Sequence, residues 1–167
     1  MERDTIFKTS LKKVGIFDFK DFYKFCYQWV VEEIGNWTTF SEDKYSEKIK
    51  PKGKEIDVEW NGTKKITDYF RFDIKVVFEV KYLNEIEIVE KGKKIKTNEG
   101  EVKLKVEGYL VRDYDGKFEK TASLKFLRSL YEKWVIKSRV DQFEGKVFGD
   151  CNEFLSQAKA WLDLESK

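Results

Sequence analysis

Two stretches of strict alternation constrain this chain more than any other feature. Ile56, Val58 and Trp60 face one way; then Phe70, Phe72, Ile74, Val76, Phe78, Val80 and Tyr82 do the same, with Arg71, Asp73, Lys75, Glu79 and Lys81 between them. A period of two sends successive side chains to opposite faces of a strand, so one face of this ribbon meets a core and the other meets water. Antiparallel sheets allow that division. Asn61-Gly62 offers the two positive-φ residues of a tight hairpin and predicts a turn between the runs. Asn84 is expected to end the long strand, with Ile86 and Ile88 starting another that stops near Lys91-Gly92. A further hairpin is expected from Lys94 through Asn98-Glu99-Gly100 into Val102, Leu104, Val106 and Leu110. Asp113-Tyr114-Asp115-Gly116 then turns the chain out of the sheet. Four to six antiparallel strands are expected in the middle of the chain.

The flanks read differently. Thr5 to Val14 alternates weakly and suits an edge strand or an ordered arm. Asp18 is placed to cap a helix running to Ile34, where Phe19, Phe22, Tyr23, Cys26, Trp29 and Val30 recur at three- and four-residue steps until Gly35. The polar stretch from Asn36 to Pro51 fits a short helix, a strand or a long loop. After Lys120 the helical period returns: Leu124, Leu127, Tyr131, Trp134 and Val135 form one stripe, and Phe126, Leu130 and Ile136 make the segment apolar on other sides as well. Gly145 and Gly149 suggest a break, and Asp150 with Glu153 reads as a capping box opening a final helix. With no repeat, low-complexity tract or linker, the expectation is a single α+β domain over residues 1–167, its sheet packed by one N-terminal and two C-terminal helices.

Composition narrows the chemistry. The 167 residues contain no histidine, which removes the usual general base, the Ser-His and Cys-His pairs and the imidazole ligand of most catalytic zinc sites. No cofactor and no metal are called for. Cys26 and Cys151 stand far apart among apolar neighbours, as buried free thiols do. The 33 basic and 31 acidic residues nearly cancel, so affinity for an anionic partner must be local. The Lys and Glu bias matches thermophile-like composition. Without a spanning apolar run or an apolar leader, a soluble cytoplasmic protein is expected.

Four constellations carry candidate chemistry. Asp57, then Glu79 and Lys81 on a later strand, with Glu32 and Glu33 on the preceding helix, form a set of acids with a lysine. This set resembles the PD-(D/E)xK nucleases, and the resemblance implies Mg²⁺ held by the acids with Lys81 activating water; those residues would then be catalytic. The chain departs from that pattern in lacking a proline before Asp57 and in continuing as strand after Lys81, where the family places a helix. A Glu-x-Lys step on a solvated strand face also arises from alternation alone.

Lys91, Lys93, Lys94, Lys96, Lys103 and Lys105 form a basic hairpin that suits phosphates of nucleic acid or an anionic surface. Nearby glutamates dilute it, and lysines on a sheet edge commonly serve to discourage edge pairing. Aromatic residues form a third feature, with Phe19, Phe22, Tyr23 and Trp29 on the first helix and Phe70, Phe72 and Phe78 on the long strand. In the order strand, helix, sheet, terminal helix, the chain is loosely similar to the START-like helix-grip proteins, a resemblance that implies a hydrophobic ligand held between sheet and helix. Ordinary core packing accounts for the same aromatics.

Finally, Leu124, Leu127, Leu130, Tyr131 and Trp134 lie on a helix too apolar for one buried face; such a helix is either central to the fold or half of an oligomer interface, and an interface is the expectation here. The leading expectation is a non-enzymatic interaction or assembly protein, a homo-oligomer or a docking module for a protein partner. A helix-grip ligand carrier and a Mg²⁺-dependent nuclease are the alternatives, and nucleic acid is a less favoured partner.

Overall fold

The computed structural model describes residues 1–165. It contains a five-stranded antiparallel sheet with three helices, one near the N-terminus and two at the C-terminal end. Strands β1 (Glu2–Ile16), β2 (Thr39–Lys50), β3 (Gly53–Lys65), β4 (Phe70–Glu90) and β5 (Lys93–Arg112) lie in the order β1-β5-β4-β3-β2. The four strands after the first helix form a meander, and β1 pairs antiparallel with β5 from Glu2↔Arg112 to Ile16↔Glu99, with a bulge between Thr5 and Phe7. Helix α1 (Phe19–Gln28) joins β1 to β2, while α2 (Ala122–Leu130) and α3 (Lys137–Glu165) follow the sheet.

Alternation sorts the two faces of the sheet. Ile56, Val58 and Trp60 on β3, Phe72 to Val80 at even positions on β4, and Val102, Leu104, Val106 and Leu110 on β5 are all buried on one face. Both α1 and α3 pack there. Phe22 of α1 meets Phe78 and Trp161, and α3 lays Val147, Cys151, Phe154, Leu155, Ala158 and Leu162 into the same core. These α3 residues recur at three- and four-residue steps, the stripe of a helix with one buried side. Where α3 crosses β5 the strand has Gly108, and a Cβ there would stand 2.6 Å from the Cys151 sulfur. The glycine sets how closely helix and sheet approach.

Asp18 caps α1 as its sequence suggested, accepting from the Asp21 amide at 3.0 Å. The helix then widens into a π segment, Trp29–Ile34, closed by an i→i+5 bond from the Gly35 amide to the Val30 carbonyl. A second π segment, Tyr131–Val135, extends α2 and ends on the matching bond from Ile136 to Tyr131.

Several local expectations need correction. Asn61-Gly62 is no turn: both residues lie inside β3, opposite Lys75 and Ile74. Gly62 is there because a Cβ would stand 3.0 to 3.2 Å from Trp37, Phe40 and Ile74. The turn comes at residues 66–69, closed by the Ile66 amide on the Phe70 carbonyl and by Thr67 Oγ1 accepting from Tyr69 and Phe70. Asn84 does not end β4. The strand absorbs one extra residue between Lys81 and Asn84, with Tyr82 at φ 56°, and continues to Glu90. This is a β-bulge, which kinks a strand without stopping it. Asn98-Glu99-Gly100 lies inside β5, and the β4–β5 turn is Lys91-Gly92, at φ 50° and 78°. Gly145, Gly149 and Asp150 are interior to α3. The buried Val147 and Cys151 between and beside the glycines hold the helix through a penalty of about 1 kcal/mol for each. Residues 39–50, left open by sequence, are β2.

Cys26 and Cys151 are free and buried. Burial raises the Cys26 thiol well above its ordinary range; burial, with help from the Asp150 charge, pushes Cys151 up to about 12.

Candidate functional site

The unusual chemistry sits where β5 leaves the sheet and α2 begins. Asp113, at φ 52° and buried, accepts from the amides of Lys117 and Phe118 at 2.9 and 3.1 Å and folds the turn back on itself. Thr121 then caps α2 by accepting from the Leu124 amide at 3.2 Å. A helix of ordinary amphipathicity would now turn its apolar stripe inward. This one turns it outward.

The side of α2 and its π segment that faces the protein is the four-residue stripe Leu124, Arg128, Glu132 and Ile136. At its centre are two charges, with Arg128 at 13% and Glu132 at 14% side-chain exposure. Arg128 reaches Glu2 at 2.9 Å and Glu119 at 3.4 Å, and lies 3.8 Å from Asp113. Glu132 accepts from Arg112 at 2.8 Å and from the Tyr69 hydroxyl. Arg112 also holds Asp4 at 2.6 Å and Glu2 at 3.1 Å, tying β1 to β5 and both to the helix. Tyr131 packs edge-on against Tyr69 and stacks on Phe118. Burial, and then the bond to Glu132, raise the Tyr69 hydroxyl above its usual range. The clamp is therefore ionic and aromatic, assembled from four separate segments of chain.

The opposite side of the same helix is apolar and open. Phe126 is 64% exposed, Leu127 51%, Trp134 73% and Val135 67%, with Leu130 and Tyr131 beside them. No residue of α2 or of its π segment is buried. Of the five residues expected at an interface, Leu127, Leu130 and Trp134 lie on this open side; Tyr131 stands at its edge, partly exposed but packed on Tyr69 and Phe118, and Leu124 faces the protein and is half-buried. Sequence reasoning missed the clamp. Its signal was present in the four-residue spacing of Leu124, Arg128, Glu132 and Ile136, opposite charges bracketed by apolar residues.

A second feature is a half-open cleft of about 680 Å³ between the first half of α3 and the end of β3. Ile66, Phe72, Phe143 and Val147 give it an apolar lining, and Asn36, Lys64, Lys65, Lys146 and Asp150 a polar one. Lys64 is half-buried; its ammonium lies 5.4 and 5.5 Å from the Trp37 and Phe72 ring centres and 3.5 Å from the Ile34 carbonyl. Burial lowers its pKa, the Asp150 charge works against that, and Lys146 works with it. Asp150 accepts from Lys146 at 2.9 Å through one oxygen. Its other oxygen is buried without a hydrogen-bond partner among the described residues.

The remaining sequence candidates lie elsewhere. Asp57 and Glu79 are direct cross-strand neighbours on the outer face of the sheet, the face away from α1 and α3, and Lys81 follows on the same face. Glu79 is bonded to Lys105 at 2.8 Å, which holds its carboxyl below the usual range. Glu32 and Glu33 belong to the helix on the other side of the sheet, and no set of three or more metal-ligating acids or cysteines is present among the described residues. Lys91, Lys93, Lys94 and Lys96 gather at the tip of the β4–β5 ribbon, where Glu90 pairs in register with Lys93 and Glu87 with Lys96. Lys103 and Lys105 are on the outer face, and nine residues of strand put Lys105 roughly 30 Å from Lys96. The six lysines do not form one patch. No known family model, curated protein or solved structure matches the chain.

Proposed function

We propose that this protein is a non-catalytic docking module that engages another macromolecular surface through the outward side of α2 and its π segment. The observation that carries the reading is the inversion of that helix: paired charges inside, phenylalanine, leucine, tryptophan and valine outside. Contiguous exposed apolar surface of this kind marks interaction sites on soluble proteins. A second copy meeting the same face is disfavoured, because residues 117–139 contain seven basic and only two acidic residues, and an isologous contact would set these like charges against each other. The docking reading is tested with a photo-crosslinking amino acid in place of Trp134, and in a control chain in place of Lys103. The expected result in cells is an adduct from position 134 alone. Irradiated cells yielding no adduct from position 134 would end the proposal.

The cleft beside α3 favours a second reading, a carrier of an amphipathic small molecule as in the helix-grip alternative. Its apolar lining, the desolvated Lys64 and the Asp150 oxygen without a hydrogen-bond partner among the described residues together suit a ligand with an apolar body and a polar end. Native mass spectrometry of the freshly purified chain is then expected to show a bound small molecule that is absent from Phe143→Trp. An unliganded mass under gentle conditions removes the reading.

A further inference from the structure

We infer that the surface on which α2 docks is an anionic lipid bilayer, an inference that rests on the docking reading above. Three observations select lipid over a protein groove. The first is charge. Of the two acids between residues 117 and 139, Glu119 is bound to Arg128 and Glu132 to Arg112 and Tyr69. What the segment presents outward is basic, with Lys125, Lys133, Lys137 and Arg139 exposed and in no ion pair among the described residues. The segment is net +5 within a chain of net +2, which leaves −3 for the remainder. A molecule polarised in this way is oriented by a negative sheet of charge, with this end toward it.

The second observation is chemical type. The exposed apolar groups are flanked by lysines, and Lys133 lies 5.4 Å from the Trp134 ring centre. Tryptophan and phenylalanine beside lysines are the set that enters the headgroup boundary: rings at the level of the glycerol groups, ammonium ends reaching back to phosphate. Trp134 is the one tryptophan that is mostly exposed; Trp60 is fully buried and Trp29, Trp37 and Trp161 are partly buried.

The third is shape. A protein groove that captures an amphipathic helix is a concavity that takes in its whole apolar face. Here the inner half is already held by Arg128, Glu132 and Ile136, so only a shallow outward ridge is available. A flat surface accommodates a ridge. No helix among the described residues is long and apolar enough to cross a membrane, and the inference concerns a helix lying on one.

The experiment is co-sedimentation of the full chain with phosphatidylcholine vesicles, with and without phosphatidylserine. Trp134 fluorescence is followed in parallel against Trp134→Phe. The expected result is binding to the phosphatidylserine vesicles with a blue-shifted Trp134, weakening as salt rises. Lys133→Gln and Lys137→Gln should each lower the partition coefficient about fivefold, and Phe126→Ser with Trp134→Ser should lower it more than tenfold. All four positions are exposed, and an unchanged circular dichroism melt confirms that these variants fold. Equal binding to both vesicles, or binding that survives the Phe126→Ser, Trp134→Ser pair, overturns the inference. So does binding lost only on replacing Lys93, Lys94 and Lys96. No binding to either vesicle, together with a protein adduct from position 134, overturns lipid as the partner and leaves the docking reading standing. Failure of both experiments removes the two together.

Discussion

The two C-terminal helices follow opposite rules within one chain. Along α3, Val147, Cys151, Phe154, Leu155, Ala158 and Leu162 are buried against the sheet, while Glu153, Lys159 and Asp163 are exposed. Along α2 and its π segment, Arg128 and Glu132 turn inward and Phe126, Leu127, Trp134 and Val135 turn outward. Burying apolar area stabilises by about 25 cal/mol per Å², so α3 contributes to folding through ordinary transfer from water. The exposed side chains of α2 forgo that gain in the free protein. Its attachment comes instead from charge pairs, whose mutual attraction is largely offset by the desolvation of the charges. A helix built this way holds its place specifically without adding much stability. Its apolar surface remains available.

The sharpest way to break the contrast is to truncate one large side chain on each helix. Phe154 is fully buried, and Phe154→Ala should cost about 3 to 5 kcal/mol of unfolding free energy. Trp134→Ala removes a bulkier group at a 73% exposed position and should stay within about 0.5 kcal/mol. Urea titration of both variants reads the difference directly. A cost above about 2 kcal/mol for Trp134→Ala would mean that the outward side is packed in the folded protein, and the inversion would fail. Next in size is the clamp. Glu132→Ala leaves Arg112 and the Tyr69 hydroxyl short of a partner at positions largely removed from water, and a loss of about 2 kcal/mol is expected, less than for a fully buried pair. Glu132→Gln, which can still bond to Tyr69, should recover part of that loss. If Glu132→Ala proves neutral, the helix is held by Tyr131 and Ile136 and the charges are incidental.

The sheet was legible because strand alternation is a local, repeated signal. Six even-numbered positions from Phe70 to Val80 agree with one another, and no other element type satisfies them all. Turns were less legible. Asn61-Gly62 has hairpin chemistry, yet its glycine is required by the approach of Trp37 and Phe40 from a different part of the chain. Gly145 and Gly149 suggest a helix break for the same reason: propensity is visible in sequence, whereas the sheet packed against Val147 and Cys151 is not. At the candidate site, three of the five expected interface residues, Leu127, Leu130 and Trp134, point outward, and the excess of apolar residues that places them there can be counted along the helix. That Arg128 and Glu132 point inward depends on Glu2, Asp4, Tyr69 and Arg112, which are distant in sequence and meet only once β1 pairs with β5. The cleft beside α3 has the same character, since Lys64 and Asp150 become neighbours only through the fold.

The outer face of the sheet offers the smallest effect and a useful reference for the clamp. Glu79 is held below the ordinary carboxylate range, chiefly by the hydrogen bond from Lys105, with the charges of Lys105, Lys103 and Lys81 assisting and burial opposing. A carboxylate whose pKa is lower folded than unfolded stabilises the protein at pH values above its unfolded pKa. That contribution disappears as pH falls through the folded pKa and both states become protonated. Both side chains are about a third exposed or more, at 34% and 39%, so solvent screening confines the pair to about 0.5 kcal/mol or less. Unfolding free energy measured from about pH 6 down to pH 3 should therefore fall slightly less steeply in Lys105→Met than in the parent chain. Added salt should shrink the difference further. The clamp around Glu132 is more enclosed and should resist the same salt. If both sites lose stability in parallel as ionic strength rises, the clamp is an ordinary surface network and α2 is less firmly seated than its geometry implies.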